Sequence, residues 1–573
     1  MKHRIPLAAL TLTWAAAAPA AAQAPRTEGP LTHAPAPTTG AIRAEDLRTH
    51  VYVLAADSMK GRENGTRGHV MGTDYIAAQA RRIGLQPGGE NGTFFQTVPL
   101  VETGTEPGAT LTVDGTALAL GRDYLLVPSY GDIIRFAPGL RANGVQAVYG
   151  GRVGPPTSMI SPEQARGKLV VFAAPMGPNG QPSFGFWAAG TYERYADAAG
   201  VVFATLDYTQ GGLREFMEAP RTEFDKGSPA VSDRRDPPGI IVTNAAAERL
   251  MGAPLAGLQV GAPGRTIDAS VATFRRPLAF PVRNVVAILP GSDPALRGQY
   301  VALGSHNDHV GTAHEAVDHD SLLVFNRILR PEGADGEPEA WTDEARARFR
   351  TELAALRARR APRLDSIFNG ADDDASGSAT MLEIAQYLAS RPTKPRRSVI
   401  FVWHAAEELG LYGSEWFTDH PTVPLDSIVA QLNMDMVGRG GVSDRQRGGP
   451  AYLELVGSRR LSTQLGDLIE EVNRSGNHGF TFDYSMDANG HPQNIYCRSD
   501  HWNYARYGIP VTFFTTGGHS DYHMLTDEPQ YIEFDKMARV TQLMASVAEA
   551  VANRPERLVV DKPKPDPHGQ CQQ

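Results

Sequence analysis

The sequence predicts an α/β fold: a central sheet sandwiched between helices, with a separate, mostly β module ahead of it. Three observations carry that reading. From Pro281 onward, short apolar strand candidates alternate with helical stretches. Between about Gly108 and Arg275 the texture is instead short strands broken by Gly and Pro. Ahead of both, Ala41 to Leu100 opens with helical periodicity.

The first helical stretch places Leu47, Val51 and Leu54 at helical spacing, and Met71 to Ile83 forms an amphipathic run that stops at Gly84. The β module offers strands at Ala109 to Val113, Val145 to Tyr149, Lys168 to Ala173, Gly200 to Leu206 and Gly239 to Thr243. The α/β part offers strands at Asn284 to Leu289, Tyr300 to Ser305, Ser398 to His404, Ile428 to Asn433, Tyr452 to Val456 and Pro510 to Phe514. Helices fit Ser378 to Ala389, Leu461 to Asn473 and Phe534 to Asn553. The expected domains are therefore 41–107 with 276–556, and an insert at 108–275. A long insertion, Thr312 to Phe368, carries a charged helix candidate from Thr342 to Arg359. Its stripe of Phe349, Leu353 and Leu356 suits a surface helix packed by one face, or a lid over the site or a partner surface.

At 573 residues the chain exceeds one typical domain, and a net charge of -9 without a long basic run argues against nucleic acid as a partner. Lys2 and Arg4 precede an apolar stretch from Ile5 to Ala18, then Pro19 and Ala20-Ala21-Ala22. That is the plan of a secretory signal peptide spanning 1–22, cleaved after Ala22, with a flexible leader at 23–40. The run is short for an uncleaved anchor, so a periplasmic or secreted protein without stable membrane insertion is expected. Only Cys497 and Cys571 occur, and whether they pair is open, since Cys571 lies in a polar tail. The tail, 557–573, reads as disordered.

Five clusters carry the chemistry: His306-Asn307-Asp308, Asp372-Asp373-Asp374, Glu407-Glu408, Asp435 and Tyr522-His523. They supply imidazoles and carboxylates suited to two divalent ions sharing a bridging carboxylate. Ligands of open α/β sheets bind beyond the carboxyl ends of strands, and His306, Glu407 and Asp435 all end or follow strands. His306 and Asp308, two apart on an extended strand end, share a face; Asp308 is placed to orient the imidazole, and His309 reads equally as a bystander. Asp372, Asp374, Ser376, Gly377 and Glu383 imitate a calcium loop, although Pro362 and Ile367-Phe368-Asn369-Gly370 make its incoming helix a poor fit. The alternative is a tight loop with one Asp turned into the site. His404-Ala405-Ala406-Glu407 imitates a His-x-x-Glu zinc signature, but His404 falls within a strand and suits a core histidine. Glu407 and Glu408 can serve one site only where the chain leaves the sheet, which Leu409-Gly410 supports. Asp435, among apolar neighbours, needs a metal or an ion pair.

In this order the clusters resemble the M28 family of zinc peptidases, the aminopeptidase Y and glutamate carboxypeptidase II group. The resemblance runs through Gly304 to Gly311, Asn369 to Gly377, Ala406 to Ser414, Asn433 to Gly438, Arg498-Ser499-Asp500-His501, Gly508-Ile509-Pro510 and Tyr522-His523. It implies a mixed central sheet of the zinc-exopeptidase, phosphorylase/hydrolase-like type, and two zinc ions, with cobalt or manganese as substitutes. It also implies that His306 and Asp435 hold one ion, Glu408 and His523 the other, and Asp373 bridges them. Glu407 matches the general base acting on a metal-bridging water, Asp308 the acid orienting the first His, and Tyr522 an oxyanion-stabilising tyrosine. The Asp373-Asp374 peptide bond matches one that is often cis in the family. The β module resembles a protease-associated domain through Arg166 to Val171 and Tyr195 to Val202. The activity implied first is an aminopeptidase acting on peptides. A carboxypeptidase for acidic C-termini, an inactive binding protein such as the transferrin receptor, and a single-metal glutaminyl-cyclase-like transferase are alternatives on the same fold.

Overall fold

Four strands, Ser398–His404, Tyr300–His306, Ile428–Met434 and Val511–Thr515, lie side by side in parallel. Val282–Leu289 on one flank and Tyr452–Val456 on the other run antiparallel to their neighbours, so the sheet is mixed. The computed structural model describes residues 28–573 except 129–133, 135, 177–190, 210–213, 215–216, 226–235 and 445–447. The signal-peptide expectation lies outside the described residues.

Alternate residues of these strands face opposite layers. Val285, Ala287, Val301, Leu303, Val399, Phe401 and Trp403 enter one apolar core, with Leu47, Ile76, Met381, Leu465 and Met537 from the covering helices. Val286, Ala302, Ile400 and Val402 enter the other, against Phe417, Trp502 and Tyr504. Burial on both faces explains why these strands read as nearly continuous apolar runs. Register brings the parallel strands to a common edge: His306 pairs with His404, and Gly304 with Asn433. The chemistry-bearing residues just beyond those pairs therefore leave the sheet on the same side.

By contact, the chain divides into two units: the described residues up to Gln96 with Arg283–Gln573, and Thr97–Val282. Drawn from sequence, these borders fall at 108 and 275 instead. They differ because Leu100–Thr105 pairs with the second unit's Pro263–Pro277 strand. That strand and Gly139–Arg152 run well beyond any candidate seen in the sequence, since much of each is not buried and lacks a continuous apolar signal. The second unit's sheet has its own two cores, one containing Leu111, Val171 and Ile267, the other Phe172, Phe203 and Ile241.

In the 312–368 insertion, Thr312–Asp318 pairs antiparallel with Leu364–Ile367. The helices His319–Leu329 and Asp343–Arg357 pack through Leu323, Val324 and Leu356, with Phe349, Leu353 and Tyr531 completing the contact. The apolar stripe is thus the packed face. Neither the leader nor the tail is free where described. Gly29 N donates to Gln530 O at 2.7 Å, Thr38 Oγ1 to Gln386 Oε1 at 2.7 Å, and Cys571 is disulfide-bonded to Cys497. Polar composition suggests disorder, but the partners of these segments lie far away in sequence and composition cannot register them. Among the described residues, no helix is long and apolar enough to cross a membrane.

Glu383 faces His50 at 3.2 Å, both side chains fully buried. Burial pushes the Glu383 carboxyl up to about 8, with Asp46 adding and Arg82 and Arg43 opposing. A carboxyl that holds its proton more tightly in the fold makes stability fall as pH rises from its unfolded value, near 4.5, to about 8. Glu383→Gln should remove that slope and stabilise the protein at pH 8 by up to about 4 kcal/mol. Urea midpoints of both proteins between pH 5 and 8 check this; parallel slopes would count against it.

Candidate metal centre

The turn after Tyr300–His306 delivers His306, Asp308 and His309, all buried. Ala371–Ser376 delivers the three acids, the turn after Ser398–His404 delivers Glu407 and Glu408, and Asp435 follows Ile428–Met434. Tyr522 and His523 come from the loop beyond Val511–Thr515.

Of the three consecutive acids, one turns into the site. Asp372 accepts from Gly438 N at 2.7 Å and faces His519 Nε2 at 3.1 Å. Asp374 accepts from Gly377 N, Met436 N and His306 N at 2.8, 3.1 and 3.2 Å. Asp373 is the exception: its Oδ1 lies 3.0 Å from His306 Nε2 and its Oδ2 2.9 Å from His523 Nε2. The Asp373-Asp374 peptide bond is cis. The calcium-loop alternative does not assemble, because Glu383 turns to His50 instead of these acids.

On one side of Asp373, His306 Nε2 lies 3.6 Å from Asp435 Oδ1, and Asp435 Oδ2 accepts from Ser499 Oγ at 2.7 Å. On the other, His523 Nε2 lies 2.9 Å from Glu408 Oε2, and His309 Nδ1 lies 2.6 Å from Glu408 Oε1. His309, which reads equally as a bystander in the sequence, thus joins the cluster; its position three residues after His306 is the only local signal for it. His404 stays in the core, 3.0 Å from Tyr504 Oη and 3.3 Å from Asp500 Oδ2.

Asp308 does less for His306 than its spacing suggests. The imidazole Nδ1 is nearer the Asp308 carbonyl, at 3.2 Å, than its carboxylate, at 3.7 Å. The carboxylate accepts instead from Asn64 Nδ2 at 2.7 Å and from the amides of Glu407 and Glu408 at 3.2 and 3.4 Å. Asp308 therefore fixes the turn that bears both glutamates. Arg62 does the same for two other loops. Its buried guanidinium donates to the carbonyls of Asn307, Asn369 and Gly370 at 3.0, 2.7 and 2.9 Å. Neither Arg62 nor Asn64 carries a sequence signal, since each lies more than 240 positions from these partners.

Charge fits a cation here. Burial and Asp373 push Glu408 up, but His523 and His309 bring it to about 2. Burial lowers the His523 imidazole, yet Glu408 and Asp373 lift it to about 11. Burial pushes Glu407 well up; His306 opposes, while Glu408, Asp435 and Asp500 add to the rise. So many carboxylates in a buried site demand positive charge. A single ring N–H on His523 cannot donate to two carboxylate oxygens that are both 2.9 Å away, whereas a cation between them satisfies all three. Buried His306 Nε2 and Asp373 Oδ2 lack a hydrogen-bond partner among the described residues, as donors aimed at metal ions on the two sides of Asp373 would. The donors form the groups His306, Asp373, Asp435 and His309, Asp373, Glu408, His523, each within 4.8 Å. Tyr522 Oη accepts from Arg498 Nη2 at 3.1 Å, and its ring stacks on that of His523 with centroids 4.1 Å apart.

A mixed α/β sheet bearing this imidazole and carboxylate set at its carboxyl edge defines a candidate centre for divalent metal ions. The family model of peptidase family M28 matches residues 284–548 of this chain. Leucine aminopeptidase 1 of Aspergillus oryzae is 27% identical over 193 residues, 32% of this chain and 47% of that protein. Aminopeptidase YwaD of Bacillus subtilis is 27% identical over 202 residues, 34% of this chain and 40% of that protein. The chain thus spans less than half the length of these curated relatives. The solved aminopeptidase from Aneurinibacillus sp. strain AM-1 aligns over 91% of this chain and 97% of its own, at 18% identity and a TM-score of 0.45.

Proposed function

We propose that this protein is an exported dimetal exopeptidase that releases N-terminal residues from peptides. One observation supports it above others: Asp373 presents one oxygen to His306 at 3.0 Å and the other to His523 at 2.9 Å, as a bridging carboxylate would. His306, Asp373 and Asp435 would hold one ion and Asp373, Glu408 and His523 the other. Zinc suits this set, and cobalt or manganese can replace it. The bound ions supply positive charge that acidifies a water and polarises a carbonyl.

Glu407, half-buried beside His306, accepts the proton of the attacking water and passes it to the leaving amine. Tyr522 Oη donates to the oxygen that gains charge as the carbonyl is attacked, while Arg498 Nη2 donates to that phenol and holds it in place. Arg498 is itself fixed by Asp335 of the insertion, at 2.8 and 3.0 Å. Tyr522→Phe is expected to lower kcat by about 10²-fold with metal content unchanged. Steady-state kinetics beside elemental analysis check this.

The choice of the N-terminus rests on the relatives named above as aminopeptidases. Aminoacyl nitroanilides, N-blocked peptides and peptides ending in Glu, each with and without chelator, test it. Chelator-sensitive release from free-amine substrates is expected. Cleavage restricted to N-blocked peptides or to peptides ending in Glu would move the assignment to a carboxypeptidase, and no cleavage of any would favour a binding protein. Export is supported by the N-terminal sequence and by the Cys497–Cys571 disulfide, which an oxidising compartment preserves. The β module is proposed as a protease-associated domain.

A further inference from the structure

We infer that His309 is a ligand of the ion on the Glu408 and His523 side, giving that position four protein donors against three on the His306 side. The inference rests on the dimetal reading above. His309 follows His306 by three residues, but its ring crosses to the other half of the site. Its Nδ1 lies 2.6 Å from Glu408 Oε1 and 3.8 Å from Asp373 Oδ2, oxygens that both belong to the second ion. Glu408 consequently stands between two imidazoles, Oε1 toward His309 and Oε2 toward His523. The two rings meet edge to face, centroids 5.5 Å apart, and each presents a nitrogen to Glu408.

The backbone makes room for this ring. Gly370 has φ +57, and a Cβ there would come within 2.2 Å of Asp373 O and 2.6 Å of two His309 ring atoms. A residue whose only task was to fill space behind Glu408 would not need a nitrogen directed at two metal-facing carboxylates. Asp373, Glu408, His523 and His309 would offer such an ion two imidazoles and two carboxylates, four protein donors. His306, Asp373 and Asp435 leave one position open on the other ion. The two ions therefore differ: the one beside His309 is retained, and the one beside His306 exchanges and keeps room for solvent or substrate.

X-ray absorption on the purified holoprotein decides between a ligand and a mere hydrogen-bond partner. With zinc at both positions, three imidazoles shared over two ions are expected; two would overturn the inference while leaving the dimetal reading intact. In His309→Ala the count should fall from three to two, and competition with a chelator should show the tighter of two binding steps weakened at least about 10²-fold. An unchanged count or an unchanged tight step in a folded variant would also overturn it. Wild-type protein that binds fewer than two ions would instead sink the dimetal reading. The wild-type count stands even if the variant does not fold.

Discussion

Glu407→Gln is expected to lower kcat by about 10⁴-fold while the protein still holds two ions. The substitution keeps the size of the side chain and removes only its ability to accept a proton. Glu407 differs from its neighbour in what it meets: Glu408 is engaged by His309 and His523 through both oxygens, while Glu407 lies near His306 with no imidazole bonded to it. Burial, the first cause, and the acids around it raise its pKa, and His306 with a nearby cation works in the opposite sense. A base so placed is ionised only because positive charge is close, and that charge also holds the water it must deprotonate. Hydrolysis of an aminoacyl nitroanilide, with elemental analysis of the same sample, measures both halves of the expectation. Loss of both ions with the activity would make Glu407 a ligand instead of a base.

Asp373→Asn should have a comparably large effect by a different route: no more than one ion retained, and kcat/KM reduced by at least about 10³-fold. An amide offers one oxygen, and its NH2 group repels a cation, so a carboxylate that serves two ions becomes a ligand for one at most. The neighbouring acids provide the control. Asp374→Asn breaks a carboxylate that accepts three backbone amides, so it should cost about 1–3 kcal/mol of stability and leave both ions bound. If Asp374→Asn strips the metals while Asp373→Asn does not, the bridging role belongs to the wrong neighbour. Equilibrium dialysis and urea unfolding of the two variants separate these outcomes.

Much of the fold and of the site is legible in the chain itself. The strands Tyr300–His306, Ser398–His404 and Ile428–Met434 are apolar runs that end where polar, Gly-bearing turns begin. Strand ends in an open parallel sheet gather ligands because the register brings them level, as the pairing of His306 with His404 does. That His404 belongs to the core also follows from its place inside a strand. These are local properties, read within a few residues of each position.

What only the tertiary structure decided depends on direction and distance. Composition cannot say which of Asp372, Asp373 and Asp374 faces a metal, and the family resemblance only implies Asp373; backbone amides occupy the first and third and leave the second. His309 joins the second half of the site through Glu408, about a hundred positions on, whose Oε1 lies 2.6 Å from its Nδ1. Arg62 and Asn64 brace loops that lie hundreds of residues away, and Cys571 reaches Cys497 from a tail with no local signal of order. The sequence by itself determined which elements form and which residue types they carry to the sheet edge, because periodicity and turn chemistry act locally. The selection among neighbouring donors belongs to packing across long sequence separations, where a side chain's partners are set by the fold and by nothing adjacent to it.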